Sequence, residues 1–113
     1  MIQTIPQTFS IKRGADEIIT LAMSPPTSVD GWIVQFVALG NRVNSNAAPP
    51  TITLDNADNG CLTVVDVDRG VFDLQFDAED TADLDPGMLM WSLRRTNAGF
   101  VTPISDGSLY LLP

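Results

Sequence analysis

The chain has 113 residues, with 14 acidic side chains against 6 basic ones, no histidine and one cysteine. This length fits a single domain over residues 1–113, and a hydrophobic content of 44% is enough to form a packed core. A net charge of -8 argues against nucleic acid and anionic membrane as partners. Without histidine there is no Ser-His-Asp triad and no histidine metal ligand, and Cys61 alone cannot form an internal disulfide.

The acidic charge is concentrated in one part of the sequence. Residues 1–50 carry three basic and three acidic side chains, so the whole excess of -8 lies in residues 51–113. Aspartate outnumbers glutamate twelve to two. Because aspartate favours turns and caps while glutamate favours helix interiors, this bias indicates strands joined by turns.

The first half of the chain predicts strands separated by clear turn signals. Phe9 and Ile11 alternate with polar residues in a short first strand, and Gly14 lies in the turn that follows. A second strand over residues 18–23 is followed by Ser24-Pro25-Pro26, and the two prolines end it.

The strongest predicted strand spans residues 32–39, which are largely apolar on both faces. This pattern predicts a central strand that is buried on one face and partly covered on the other. A polar loop over residues 40–50 follows it. Strands at residues 51–54 and 61–65 then flank the turn-rich residues 55–60, which predicts a hairpin with a longer loop.

The second half continues the alternation with one interruption. Residues 71–77 predict a half-buried strand, and one short helical turn is expected near residues 78–84. Strands over residues 88–95 and 107–112 enclose a turn at residues 97–99. In the last strand the pattern leaves open whether Leu109 and Leu111 or Tyr110 and Leu112 face the core.

These elements predict an all-β fold, a single Ig-like or Greek-key β-sandwich of seven or eight short antiparallel strands. Trp32 and Trp91 are the expected core anchors, because each indole can bury a large apolar area. The first 20 residues lack the basic and apolar regions of a signal peptide, and no apolar run is long enough to span a membrane.

The residues 55–66 partly match a calcium-binding loop. Asp55, Asn59, Gly60 and Asp66 occupy suitable positions, but Ala57 stands where an oxygen ligand belongs. An aspartate-rich turn is the favoured interpretation, and calcium binding by this acidic loop stays open.

Other polar residues give weaker indications of chemistry. Asp66, Asp68 and Asp73 could supply a carboxylate pair for hydrolysis, although solvated carboxylates at strand ends are the favoured interpretation. Cys61 has no histidine partner and is expected to act as a small buried hydrophobe. Consecutive strand residues point to opposite faces of a sheet, so Arg94 and Arg95 cannot both face the same partner. Each is expected to form its own ion pair at the surface. We therefore assign no catalytic, cofactor-binding or metal-binding residue and predict a protein that is not an enzyme.

The order of turns and strands resembles that of bacteriophage tail and baseplate β-sandwich domains, in particular the N-terminal domain of baseplate upper proteins from phages and prophages. The segments that carry the resemblance are Ile11-Lys12-Arg13-Gly14-Ala15-Asp16, Val29-Asp30-Gly31-Trp32, Asp80-Thr81 with Leu84 and Pro86-Gly87, Trp91-Ser92-Leu93-Arg94-Arg95-Thr96, and Asp106-Gly107. Three departures from the family pattern are Asp30 where threonine is commoner, Ala15 between Gly14 and Asp16, and Met88-Leu89-Met90 in place of an aromatic residue.

The resemblance implies a non-enzymatic virion component made in the bacterial cytoplasm and built into a tail, baseplate or neck. Its partners would be further copies of itself, other phage structural proteins, or both. The neutral residues 1–50 would then offer the less repulsive contact surface, and the acidic half would keep free protomers soluble. The alternative is an Ig-like or carbohydrate-binding module with an exposed tryptophan, and a more remote one is a hydrolase that uses acidic residues.

Overall fold

The structure is a computed structural model that describes residues 3–40, 51–57, 60–82, 84–96 and 102–113. Within these ranges it contains nine strands and one helical turn. They are β1 (Gln3–Ile5), β2 (Thr8–Lys12), β3 (Glu17–Ser24), β4 (Val34–Gly40), β5 (Thr51–Asp55), β6 (Leu62–Asp66), β7 (Val71–Phe76), α1 (Ala78–Thr81), β8 (Gly87–Arg95) and β9 (Thr102–Leu112). The described part of the chain contains no helix with the length and apolar character that a membrane span requires.

The strands form two facing sheets. One has four strands in the order β1-β3-β7-β6, and the other has five in the order β2-β9-β8-β4-β5. An immunoglobulin sandwich pairs its first, second, fifth and fourth strands in one sheet and its third, sixth and seventh in the other, which variable-type domains extend. The observed order follows this scheme, with β5 as the extension. The predicted all-β Ig-like sandwich is therefore confirmed, and the helical turn predicted near residues 78–84 is α1 at Ala78–Thr81.

Two details of the sandwich differ from the prediction of seven or eight antiparallel strands. The first edge segment is divided at Pro6, so that β1 pairs antiparallel with β3 in one sheet and β2 pairs with β9 in the other. The pairing of β2 with β9 is parallel. Pro6 cannot donate a ladder hydrogen bond, which suits the point where the chain passes from one sheet to the other.

The predicted hairpin over residues 51–65 is wrong. The strand β5 pairs with β4, and β6 pairs with β7 in the opposite sheet. The turn-forming residues 55–60 indicate only that the chain changes direction, whereas strand pairing is decided by partners distant in the sequence. The connection between β5 and β6 thus crosses from one sheet to the other.

Side chains that alternate inward along the strands form the core between the sheets. Phe72, Leu74 and Phe76 of β7 are buried as their alternation predicts. The open choice in the last strand is settled in favour of Leu109 and Leu111, which are 0% and 2% exposed. The ladder sets this choice, because Leu109 lies opposite the buried Leu89 of β8.

Four aromatic rings join the two sheets at the centre of the core. The Trp91 ring lies 5.5 Å from Phe36 and 6.0 Å from Phe9, all three from the five-stranded sheet. Phe76 from the four-stranded sheet meets Phe36 edge to face at 5.7 Å and Phe9 at 6.1 Å. Edge-to-face and tilted contacts at these distances add to the free energy gained from burial alone.

Gly107 of β9 makes room for the Trp91 ring. A Cβ built at this glycine would lie 2.7 Å from Trp91 Cζ2 and would overlap the Gln7 carbonyl oxygen. That carbonyl accepts a hydrogen bond from the Ser108 N–H, so the backbone there cannot withdraw without loss of the bond.

We expect Gly107→Ala to lower the free energy of unfolding by about 3 kcal/mol, because the added methyl group meets both a backbone carbonyl and the largest core side chain. Urea denaturation followed by tryptophan fluorescence measures the loss. The matched control is Gly14→Ala, where φ is +72° and nothing lies within 4 Å of the new Cβ. Its cost should be only about 1–2 kcal/mol from the left-handed backbone, and equal losses in the two variants would contradict the steric account.

Candidate interaction surface

The outer face of the five-stranded sheet carries a group of exposed apolar side chains. We define the apolar patch as Leu39, Met88, Met90, Tyr110 and Leu112, which are 44–51% exposed. They lie on the three central strands of the sheet. Large apolar side chains on a solvent-facing sheet are unusual when they are contiguous rather than scattered.

The strand register makes the apolar patch continuous. Met90 of β8 lies opposite Leu39 of β4, and Met88 lies opposite Tyr110 of β9. Leu112 follows two residues after Tyr110 on the same face of β9, since side chains of a strand alternate between faces. The five side chains therefore form one connected surface.

Polar side chains surround this patch and carry little net charge. Lys12 lies beside Leu112 in the ladder between β2 and β9. Arg94 donates from Nε and Nη2 to Gln35 Oε1 at 2.9 and 2.7 Å. Asp55, which lies opposite Gln35 on β5, and Asp106 of β9 are the carboxylates among the described positions of this outer face. Two cations and two carboxylates leave the described part of the face without net charge.

Most of the described acidic residues lie away from this face, on the turns, on α1 and on the four-stranded sheet. They are Asp16, Glu17, Asp30, Asp66, Asp68, Asp73, Asp77, Glu79, Asp80 and Asp85. An open groove of ≈ 420 Å³ lies among this acidic surface and is lined by Asp16, Glu17, Ile18, Gln75 and Asp77. The acidic charge therefore lies mainly on the turns, on α1 and on the four-stranded sheet, and the outer face of the five-stranded sheet carries little of it.

The apolar patch is only partly visible in the sequence. Residues 32–39 are apolar on both faces, which predicted partial cover of the outer face. Val37 on that face is half-buried and Leu39 is exposed. Only the register shows that Leu39 meets Met90, because the two residues are far apart in the sequence.

The residues 55–66, which partly match a calcium-binding loop, contribute to the fold through Asn56. Asn56 Oδ1 accepts the Val34 N–H at 2.9 Å, and Asn56 Nδ2 donates to the Trp32 carbonyl at 3.0 Å. Asp55 is buried and accepts the Ala57 N–H at 3.1 Å, which forms an aspartate turn. Asp58 and Asn59 lie outside the described residues. Over the described positions, no three acidic or cysteine side chains are grouped as metal ligands would be.

The three carboxylates considered for hydrolysis hold local structure or lie exposed. Asp66 Oδ1 accepts the backbone N–H groups of Asp68 and Arg69 at 3.2 and 3.3 Å, in the turn between β6 and β7. Asp73 Oδ1 accepts the Thr20 hydroxyl at 2.6 Å across the ladder of β7 and β3. The Asp68 side chain is exposed. Asp66 at the end of β6 and Asp68 in the turn after it match the expectation of carboxylates at strand ends, whereas Asp73 lies inside β7.

Cys61 is half-buried against the core, close to the expected buried position. Burial raises the pKa of its thiol, and the nearby carboxylates of Asp77, Asp80 and Asp55 raise that pKa further. Each cause disfavours the thiolate, so this thiol is a poor nucleophile near neutral pH.

The two tryptophans differ in exposure. Trp91 is 2% exposed and acts as the predicted core anchor, whereas Trp32 precedes β4 and is only partly buried. The Arg95 guanidinium lies 4.7 Å from the centre of the Trp32 ring, a cation–π contact. Arg94 and Arg95 thus have different partners, as their alternation predicted, and these contacts are to a neutral amide and an indole ring. The expected surface ion pairs stay a prediction. The predicted loop at residues 40–50, apart from Gly40, and the predicted turn at residues 97–99 lie outside the described residues.

Comparison with known proteins finds similarity of fold alone. The sequence matches no family model and no curated protein. Among solved structures, the chain is similar to bovine butyrophilin, with 14% identity, a TM-score of 0.49, and coverage of 98% of this chain and 52% of that one. The chain thus spans about half the length of that structure. The likeness concerns the fold only, which the strand order establishes by itself.

We expect Asn56→Ala to lower the free energy of unfolding by about 2 kcal/mol, because it leaves the Val34 N–H and the Trp32 carbonyl without this side-chain partner. Denaturant unfolding measures the loss. The control is Ala57→Ser at the neighbouring exposed position, which should change stability by less than about 0.5 kcal/mol. An Asn56→Ala variant as stable as the control would contradict this structural role.

We expect alkylation of Cys61 by iodoacetamide to begin at higher pH in the folded protein than in the urea-unfolded chain. The raised pKa of the folded thiol shifts the thiolate, which is the reactive form, to more alkaline solution. The rate of alkylation measured across pH by mass spectrometry gives both profiles. Coincident profiles would show that burial and the neighbouring carboxylates do not act on this thiol.

Proposed function

We propose that the chain is a non-enzymatic structural protein of a phage or prophage virion. It acts through protein-protein contacts as a component of the tail, baseplate or neck. The ordered set of turn and strand segments that resembles baseplate upper proteins supports the proposal, and so does the apolar patch. Cytoplasmic synthesis in the bacterium and assembly into the particle follow from the same proposal.

Two of the resembling segments are joined in the fold. The Gly14 N–H donates to Thr81 Oγ1 at 2.9 Å, and the Ala78 N–H donates to Asp16 Oδ1 at 2.7 Å. The turn before β3 and the helical turn before β8 therefore brace each other, although they are far apart in sequence. This supports the resemblance as a shared arrangement rather than as two unrelated turns.

Two of the remaining segments lie where strands begin, and Trp91 to Thr96 forms the second half of β8 and the residue after it. Gly31 has φ +75° in the turn before β4, and Gly87 has φ +141° at the start of β8. Asp106 and Gly107 instead lie inside β9, which is longer than the predicted last strand. Gly107 there accommodates Trp91, so this segment supports the core rather than a turn.

The apolar patch is the observation on which a contact-making role most depends. Five exposed apolar side chains on a sheet face are costly in water unless another surface covers them. Cover by another protein fits the near-neutral charge of this face. It also fits the weak hydrogen-bonding capacity of methionine and leucine.

The two alternative functions have less support. A sugar-binding face would need an open tryptophan ring, but Trp91 is buried and Arg95 lies over Trp32. A hydrolase would need a carboxylate pair, yet Asp66 and Asp73 are engaged in separate local hydrogen bonds. Loss of hydrolysis on mutation of these aspartates to asparagine, or glycan-array binding, would favour one of these alternatives instead.

We expect the chain to copurify with intact particles from the bacterium that carries the gene. Particles induced and banded on a density gradient should contain the chain in constant ratio to a tail protein, measured by quantitative mass spectrometry. Neighbouring genes for tail or capsid proteins would agree with this result. A chain found only in the soluble cell fraction, with no tail genes beside its own, would contradict the virion role.

A further inference from the structure

We infer that the apolar patch is the contact surface for a second copy of this chain, packed face to face in a two-fold dimer. This inference rests on the proposed contact-making function and names the partner. It depends on the area of the face, on its charge and on the symmetry that such a contact requires.

The area of the face suits a reversible dimer. Side chains that are 44–51% exposed at five positions leave roughly 400 Å² of apolar surface in water, a size typical of interaction sites. Five strands spaced about 4.8 Å apart present roughly 600 Å² to a second sheet. The two copies together would then bury about 1,200 Å², which is the lower limit for a specific interface. A contact of this size predicts association that depends on protein concentration.

The charge distribution favours a second copy at this face over other orientations. Each chain carries -8, so two copies repel when their acidic surfaces meet. The described residues of the outer face carry Lys12 and Arg94 against Asp55 and Asp106, a formal charge of zero. Contact through this face removes apolar surface from water and keeps the acidic turns and the four-stranded sheet apart. The same repulsion disfavours stacking through the acidic face.

The geometry of the patch suits two-fold symmetry. A two-fold contact uses the same surface on both copies, so that surface must complement itself. The apolar patch has no charged side chain among its five members, and β8 with Met88 and Met90 runs through its middle. Methionine side chains adapt their shape to a facing surface, which favours packing of the patch against itself. Two such sheets would pack about 10 Å apart, as in a β-sandwich.

Equilibrium sedimentation of the purified chain tests the inference. Over a range from about 1 µM to 1 mM, which brackets the affinity of small interfaces, the apparent mass should rise from 12.2 kDa towards twice that value. Met90→Glu should raise the dissociation constant at least about 100-fold, because it buries one unpaired carboxylate on each copy.

Ile18→Glu is the matched control. Ile18 is also an exposed strand residue, at 63% exposure, but it lies on β3 of the other sheet. The same substitution there should leave the dissociation constant within about twofold. Circular dichroism of both variants establishes that they keep the β fold.

Methionine methyl NMR gives a readout without any mutation. The methyl resonances of Met88 and Met90 should shift with protein concentration, whereas that of Met23, which is 3% exposed in the core, should stay constant. This measurement still decides the question if Met90→Glu fails to fold.

Three results would overturn the inference: a monomer throughout the concentration range, an oligomer that Met90→Glu leaves intact, or a patch that binds a tail protein while the chain alone stays monomeric. The last result would leave the virion role standing with a different partner. A dimer formed by a chain that is absent from particles would refute the virion role alone, so the two proposals fail separately.

Discussion

The contact between the aromatic rings of the two sheets is the constraint on which the rest of this sandwich depends. Few hydrogen bonds join the sheets in the described residues, an example being the Thr4 hydroxyl to Ser105 Oγ at 3.0 Å. Burial of side chains therefore supplies most of the cohesion, and the Trp91 ring lies at its centre. Gly107 is required beside that ring because any side chain there would occupy its place.

The same core decides what the outer face presents to solvent. When Trp91 points inward, its neighbours Met90 and Ser92 must point outward, since strand side chains alternate. The inward Leu109 and Leu111 likewise force Tyr110 outward. The apolar patch is thus the counterpart of a well-filled core. The strands of this sheet carry apolar residues on both faces, and the outward-facing ones form the patch.

The acidic side chains are separated by the surface of the fold on which they lie more than by their position in the sequence. The sequence places all the excess acid in residues 51–113, which suggested that the first half meets its neighbours. The near-neutral face is instead built from both halves, because β2 and β4 pair with β8 and β9 in one sheet. In the proposed dimer, charge repulsion therefore favours contact through this face of the sheet, which includes strands from the acidic half.

The sequence alone determined the β class, most strands, the helical turn and the buried faces of β7 and β8, because period-two alternation and turn residues act locally. Local patterns could not decide which strands pair. For that reason the predicted hairpin at residues 51–65 was wrong, and β1, which precedes Pro6 and pairs in the other sheet from β2, was not predicted. The continuity of the apolar patch likewise depends on the register of Leu39 with Met90. Only the tertiary structure decides such registers, since they follow from the packing of core side chains that are distant in the chain.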